Sequence, residues 1–185
     1  RRIEGVLRGE ENDILPESGW QGGGSFLYCE LAQLNQRYVE EIASAGTYAA
    51  SGRNRQPVLI VAVTNPELIA ELSRINAEIM GTEGDPFYGA PAVLVVLADK
   101  SVPTYLYDGS LVMGNMMLAA TDLNLGNCWI HRAKETFERE DGQAILDKLG
   151  IKGDYEGIGN LVVGYPASLN VECKPRKDGR VIFAE

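Results

Sequence analysis

Ala49-Ala50-Ser51-Gly52-Arg53-Asn54-Arg55-Gln56-Pro57 runs directly into Val58-Leu59-Ile60-Val61-Ala62-Val63. The second half is a continuous apolar run rich in β-branched residues, the pattern of a strand covered on both faces. The first half is polar or flexible from Ser51 to Gln56. A loop of this kind offers hydroxyl, amide and guanidinium donors on a rigid base, which suits a ring system bearing many acceptors. On composition alone it also reads as an ordinary connection with solvated side chains.

Working outward, Leu31, Leu34, Tyr38 and Ile42 recur at helical spacing through to about Ala50, so a helix precedes the loop. After the strand, Asn65-Pro66-Glu67 opens a second helix, with proline in its first turn and Leu68, Ile69, Leu72 and Ile75 following. Gly81 to Pro91 is a loop, and Ala92 to Ala98 is a second buried strand. Tyr105 to Leu125 is the longest helical candidate. It mixes Gly109, Ser110, Gly114, Ala119 and Ala120 with Leu111, Met113, Met116, Met117 and Leu118. A helix apolar nearly all round belongs in a core or a subunit interface. Gly126 ends it, Asn127 to Ile130 reads as a short strand, and Lys134 to Leu149 is amphipathic up to Gly150. Gly157 to Gly164 is a further strand, and Pro166 onward is an irregular basic tail. Residues 1–30 read as an irregular arm, with Pro16 and Gly22-Gly23-Gly24 and no periodicity, and residues 31–185 as a single domain. Alternating strands and helices give an α/β or α+β layer architecture.

Composition narrows the function classes. With 185 residues, 45% apolar and 23% charged, the chain suits one globular domain with a sizeable core. A net charge of −9 argues against nucleic acid as a partner. No apolar run approaches the ~20 residues that span a bilayer, and Arg1-Arg2-Ile3-Glu4-Gly5 lacks the apolar core of a secretory signal, so neither a membrane nor export is expected. Cys29, Cys128 and Cys173 are scattered and odd in number, as suits reduced thiols in a cytoplasmic protein. His131 is the single histidine, so no histidine metal cluster is expected within one chain. No Ser or Cys motif pairs with it as a catalytic triad. Gly157-Ile158-Gly159-Asn160 is glycine-rich, but a strand follows where a dinucleotide fingerprint needs a helix, so it reads as a turn.

The stretch from Gly46 to Pro57 resembles the first signature of the nitroreductase-like flavoproteins. There a helix ending in Ala-Gly leads through Ala-Pro-Ser-x-x-Asn-x-Gln-Pro into a strand. Ala50 stands where proline is common, and Ser51, Asn54, Gln56 and Pro57 keep register. The likeness continues in order through Asp85 to Pro91, Asp108 to Met117, Leu125 to Ile130, and Gly164-Tyr165-Pro166 with the basic tail. It covers about residues 38–183 and is specific for the family far more than for any substrate.

This resemblance implies a three-layer α/β/α fold of the α+β class, with a central, mainly antiparallel sheet and an intertwined homodimer. It implies an oxidoreductase in which FMN passes hydride from NADH or NADPH to a small-molecule electron acceptor, such as a nitroaromatic or quinone. The flavin carries the chemistry, so no catalytic side chain is nominated. Ala50, Ser51, Gly52 and Asn54 would approach FMN from one subunit, with Gln56 supporting the loop. Arg53 and Arg55 could reach either cofactor or solvent. Trp129, Ile130, His131 and Arg132 would line the ring from the other subunit. His131-Arg132 departs from the glycine pair or acidic residue common there, and His131 could tune reduction by titrating near the flavin. Lys174 and Arg176 match the basic pair that holds the phosphate. Arg1 and Arg2 do not align with the family's N-terminal Arg-Arg-Ser. Gly81 to Tyr88 and Lys100 to Tyr107 are candidate pocket walls. The same scaffold would also serve a flavin-binding storage or sensing protein, or a dehalogenase or dehydrogenase of one metabolite.

Overall fold

The computed structural model describes residues 25–166 and 174–184, with side chains described from residue 36 onward. Helix α1 spans Ser25–Thr47, and a single 3-10 turn at Gly52–Asn54 leads to β1, Val58–Val63. Then come α2 (Pro66–Met80), β2 (Ala92–Asp99), α3 (Tyr105–Asp122) and β3 (Gly126–Ile130). Two short helices, α4 (Ala133–Glu138) and α5 (Glu140–Lys148), precede β4, Tyr155–Gly164. The helix expected from Leu31 thus begins at Ser25. The irregular arm read at residues 1–30 is therefore corrected at 25–30, which are helical, and its residues 1–24 lie outside the described residues.

The four strands form one antiparallel sheet in the order β1-β2-β4-β3. β2 is buried along nearly its whole length, as its unbroken apolar run requires. One face of the sheet packs Val93, Val95, Val162 and Ile130 against Leu72, Ile75, Phe137 and Ile145 of α2, α4 and α5. The other packs Leu94, Val96, Leu161 and Val163 against Ile42 of α1 and Val112, Met113 and Met116 of α3. This is the expected three-layer α/β/α arrangement.

Local chemistry sets the element ends. The Asn65 side chain accepts the Leu68 N–H at 2.9 Å, with Pro66 next in the first turn of α2. Gly81, at φ 71, closes that helix in the left-handed conformation and donates to Ala77 and Glu78. At Gly46, α1 lies close against both β1 and α3. A Cβ there would sit 2.8 Å from both Ile60 Cδ1 and Met116 Cγ, so its absence lets α1 seat against β1 and α3.

Two expectations change. The helix read across Lys134 to Leu149 is broken at Arg139, which is extended (φ −83, ψ 155). Arg139 instead pairs with Asp141 and Glu78, and Gly142 packs so closely on the Thr136 carbonyl that a Cβ would overlap it. Helical periodicity survives such a break because both halves bury the same face. The turn read at Gly157 to Asn160 lies inside β4, where the register against β2 shifts between Val96 and Leu97. These glycines serve packing: a Cβ at Gly157 would overlap the Ala133 carbonyl, and one at Gly159 the Trp129 indole.

Candidate functional site

Residues 51–56 form a compact turn rather than a slack connection. The Asn54 N–H donates to the Ser51 carbonyl at 2.9 Å and the Arg55 N–H to that of Gly52 at 3.3 Å. Arg53, Asn54 and Gln56 all have left-handed φ values of 55, 54 and 49. Three non-glycine residues in that region are strained by about 1 kcal/mol or more each, so the surroundings must hold them. The Gln56 N–H donates to Ser51 Oγ at 3.0 Å, and Gln56 Nε2 donates to Asn54 Oδ1 at 2.9 Å. From outside, the Gly52 N–H donates to Asp108 Oδ1 at 2.9 Å, while Thr104 Oγ1 donates to Asp108 Oδ2 at 2.7 Å. Asp108 is buried in the first turn of α3. Gly52 is required, because a Cβ would overlap Thr104 Oγ1.

These bonds decide what the turn can offer. With Oδ1 accepting from Gln56, the Asn54 amide presents its NH2 donors outward. The Ser51 hydroxyl, already accepting, keeps its proton to donate. Arg53 and Arg55 are exposed cations beside them. The free groups are therefore mostly donors, complementary to the carbonyl oxygens and ring nitrogens of a flavin and to a phosphate. The donor set of this turn fits FMN.

In the sequence Asp108 stands only at the head of the 108–117 motif, and its role as an anchor is visible only in the fold. The signal was an acid in an otherwise apolar helix. Asp108→Ala is expected to leave the Gly52 N–H without its carboxylate and to cost about 1.5–3 kcal/mol. Urea unfolding would measure that loss, and near-neutrality would mean that the turn holds itself.

The second predicted group ends β3. Ile130 is in the core facing α2, and the half-buried Trp129 packs toward α3, where its indole Nε1 is buried without a hydrogen-bond partner among the described residues. His131 is exposed, whereas Arg132 turns inward and its Nε donates to Asn76 Oδ1 at 3.1 Å. The 51–56 turn feeds β1 and residues 129–132 close β3, so the two groups occupy opposite edges of the sheet. Three strand spacings, about 14 Å, separate those edges. Lys174 and Arg176 lie in the exposed segment 174–184, with no hydrogen bond or ion pair to residues 51–56 among the described residues.

A cavity of about 1100 Å³ lies elsewhere, between α2 and the 82–91 loop with Ser73, Arg74, Asp85 and Phe87 in its wall. Neither 49–57 nor 129–132 lines it. The donor chemistry of the turn is a better guide to the site than the volume of this groove. The groove's loop is ordered by Asp85, which accepts from Ser73 Oγ and from the N–H groups of Phe87 and Gly89. Burial pushes the Asp85 carboxyl upward, but these three donors outweigh it and hold the pKa below its usual value. The carboxylate's contribution is therefore present above pH ~3.9 and lost as pH falls through the lower folded value. Asp85→Asn is expected to lower the thermal midpoint at pH 7 by an amount equivalent to about 1 kcal/mol or less, because Asp85 is exposed to solvent. That difference should shrink as pH falls below the usual carboxylate range and vanish once Asp85 is protonated in the folded state as well.

The sequence model of the nitroreductase family matches residues 34–165. An Archaeoglobus fulgidus protein, provisionally named an NADH dehydrogenase/NAD(P)H nitroreductase, is 29% identical over 140 residues, or 72% of this chain and 75% of that one. A Bacteroides fragilis nitroreductase with bound FMN superposes with a TM-score of 0.73 at 26% identity, covering 80% of this chain and 87% of that one. A Desulfitobacterium hafniense nitroreductase with bound FMN gives 0.70 at 26% identity over the same shares.

Proposed function

The chain belongs to the nitroreductase family, and from that premise we propose that it is an FMN-dependent oxidoreductase that passes hydride from NADH or NADPH to a small electron acceptor. The observation that carries this reading is the donor-rich turn at 51–56, anchored through Gly52 to Asp108. Ser51, Gly52 and Asn54 would bind the flavin ring, with Gln56 holding Asn54 in its donating orientation. Ala50, Trp129, Ile130 and His131 would border it, and Lys174 and Arg176 would meet the phosphate. Bound FMN would supply the electron transfer itself. The protein's part is to orient donor and acceptor against one ring face at about 3–3.5 Å. His131, exposed beside that face, is the candidate group for tuning it, and a nitroaromatic or quinone is the proposed acceptor class.

We further propose that the site is completed by a second copy. The two predicted groups lie on opposite edges of one chain's sheet, too far apart to touch the same ring face directly. On α3, the exposed residues Tyr107 (74%), Leu111 (51%) and Leu118 (71%) fall on one stripe with Gly114. Spacings of four, three and four residues put them on the helix face opposite Val112, Met113 and Met116. Among the described residues, no atom outside the helix's own backbone and Gly114's chain neighbours lies within 4 Å of a Cβ built on Gly114, leaving room for another helix to approach closely. A self-complementary apolar stripe suits a two-fold homodimer.

The purified protein should be yellow, or turn yellow with FMN, and NADH or NADPH should bleach it without oxygen. Persistent yellow colour with both donors would favour a storage or sensing role. Failure to bind FMN at all would overturn the reading. Trials of the reduced protein with nitroaromatics, quinones and halogenated aromatics would then identify the acceptor class.

A further inference from the structure

Asn76 lies within α2 and is 0% exposed, one position after the core residue Ile75. An unsatisfied amide there would cost about 1–3 kcal/mol. Both ends of the side chain are used, and both reach the same turn. Nδ2 donates to the His131 carbonyl at 2.9 Å, and Oδ1 accepts from Arg132 Nε at 3.1 Å. Arg132 itself is left-handed, at φ 73 and ψ 14. Glycine adopts that conformation freely, whereas a residue with a Cβ does so at a cost. The Arg132 carbonyl is also held, by the Thr136 N–H at 2.9 Å and the Thr136 hydroxyl at 2.8 Å. The turn is thus tied from its inner side at two successive carbonyls and through a guanidinium, while His131 faces solvent.

We infer that Asn76 is a positioning residue for the segment Ile130–Arg132, acting through a side-chain lock with Arg132. The lock holds in place a left-handed turn that a glycine at 132 would adopt without help. It commits the Arg132 Nε to its own chain and leaves the exposed side of the turn, with His131, as the side presented to ligand. This inference rests on the FMN reading above, in which that segment borders the ring.

The test is an FMN titration of apoprotein, followed by flavin fluorescence and visible absorbance, on a double-mutant cycle of Asn76→Leu and Arg132→Gly. Asn76→Leu is expected to weaken FMN binding about tenfold, the loss equivalent to one buried hydrogen bond, and to shift the flavin absorbance maximum. Arg132→Gly alone sets the reference affinity of the glycine background. In that background Asn76→Leu should cost little further affinity, because glycine no longer needs the lock. Wild-type affinity in Asn76→Leu, or equal weakening in Asn76→Leu with and without Arg132→Gly, would overturn the inference. A general loss of stability is insensitive to the residue at 132 and predicts the second of those results. If Asn76→Leu does not fold, Asn76→Ser replaces it in the same cycle, being too short to reach both partners. A wild-type protein that binds no FMN overturns the underlying reading, whereas wild-type binding with the same loss in both backgrounds overturns the lock alone.

Discussion

Leu111→Glu combined with Leu118→Glu is expected to convert a dimer to monomer and to lower FMN affinity by two orders of magnitude or more. Both side chains stand exposed on the outer face of α3, so a single chain loses little by the change. In an isologous interface each substitution occurs twice. Burying a fully exposed leucine is worth about 2 kcal/mol; with Leu111 51% and Leu118 71% exposed, the four lost leucines remove about 5 kcal/mol before any charge repulsion is counted. A micromolar dimer is held by about 8 kcal/mol in total. The flavin should be lost with the interface, because 51–56 and 129–132 lie on opposite sheet edges within one chain. Light scattering would give the mass and fluorescence titration the affinity. A variant that is monomeric yet binds FMN as tightly as wild type would show that one chain holds the whole site.

Gly157→Val is expected to destabilise the fold by more than ~3 kcal/mol, and so to leave little folded protein at 37 °C. The added atoms would overlap the backbone carbonyl of Ala133, where α4 begins. Overpacked cores usually relax at a cost of about 1–3 kcal/mol by moving side chains. Here the obstacle is backbone, fixed by the turn at Arg132 and by pairing of β4 with β2 and β3, so that route is closed. A domain stable by about 5–15 kcal/mol has little reserve against such a change. Gly84→Ala is the control. Its Cβ would meet only Thr82 Oγ1 at 3.7 Å, an ordinary contact, and the effect should stay within about 0.5 kcal/mol. Circular-dichroism melts would compare the two, and similar midpoints would refute the packing argument.

The layer architecture was legible because β1 and β2 are unbroken apolar runs bounded by loop residues, and α2 carries its own start and stop signals. β2 is buried as such a run implies, whereas β1, at the sheet edge, is only half-buried because a single strand, β2, pairs with it. The break at Arg139 and the strand at 157–160 were not legible. A short kink leaves the apolar face in phase, and glycines that make room for a carbonyl or an indole look locally like a turn. In the candidate site, Ser51, Gly52, Asn54 and Gln56 could be named because their order resembles a family signature. Asp108 and Asn76 could not, since nothing near residue 108 or 76 in the chain mentions Gly52 or Arg132.

The sequence by itself therefore determined most of the elements, the fold family and the donor-rich loop, all of which depend on residues close together along the chain. Only the tertiary structure decided that Asp108 anchors the loop, that Asn76 ties the 131–132 turn, and that the two predicted halves of the site stand apart. Those facts rest on contacts 55 or 56 residues apart in sequence and on strand order, which local periodicity does not encode.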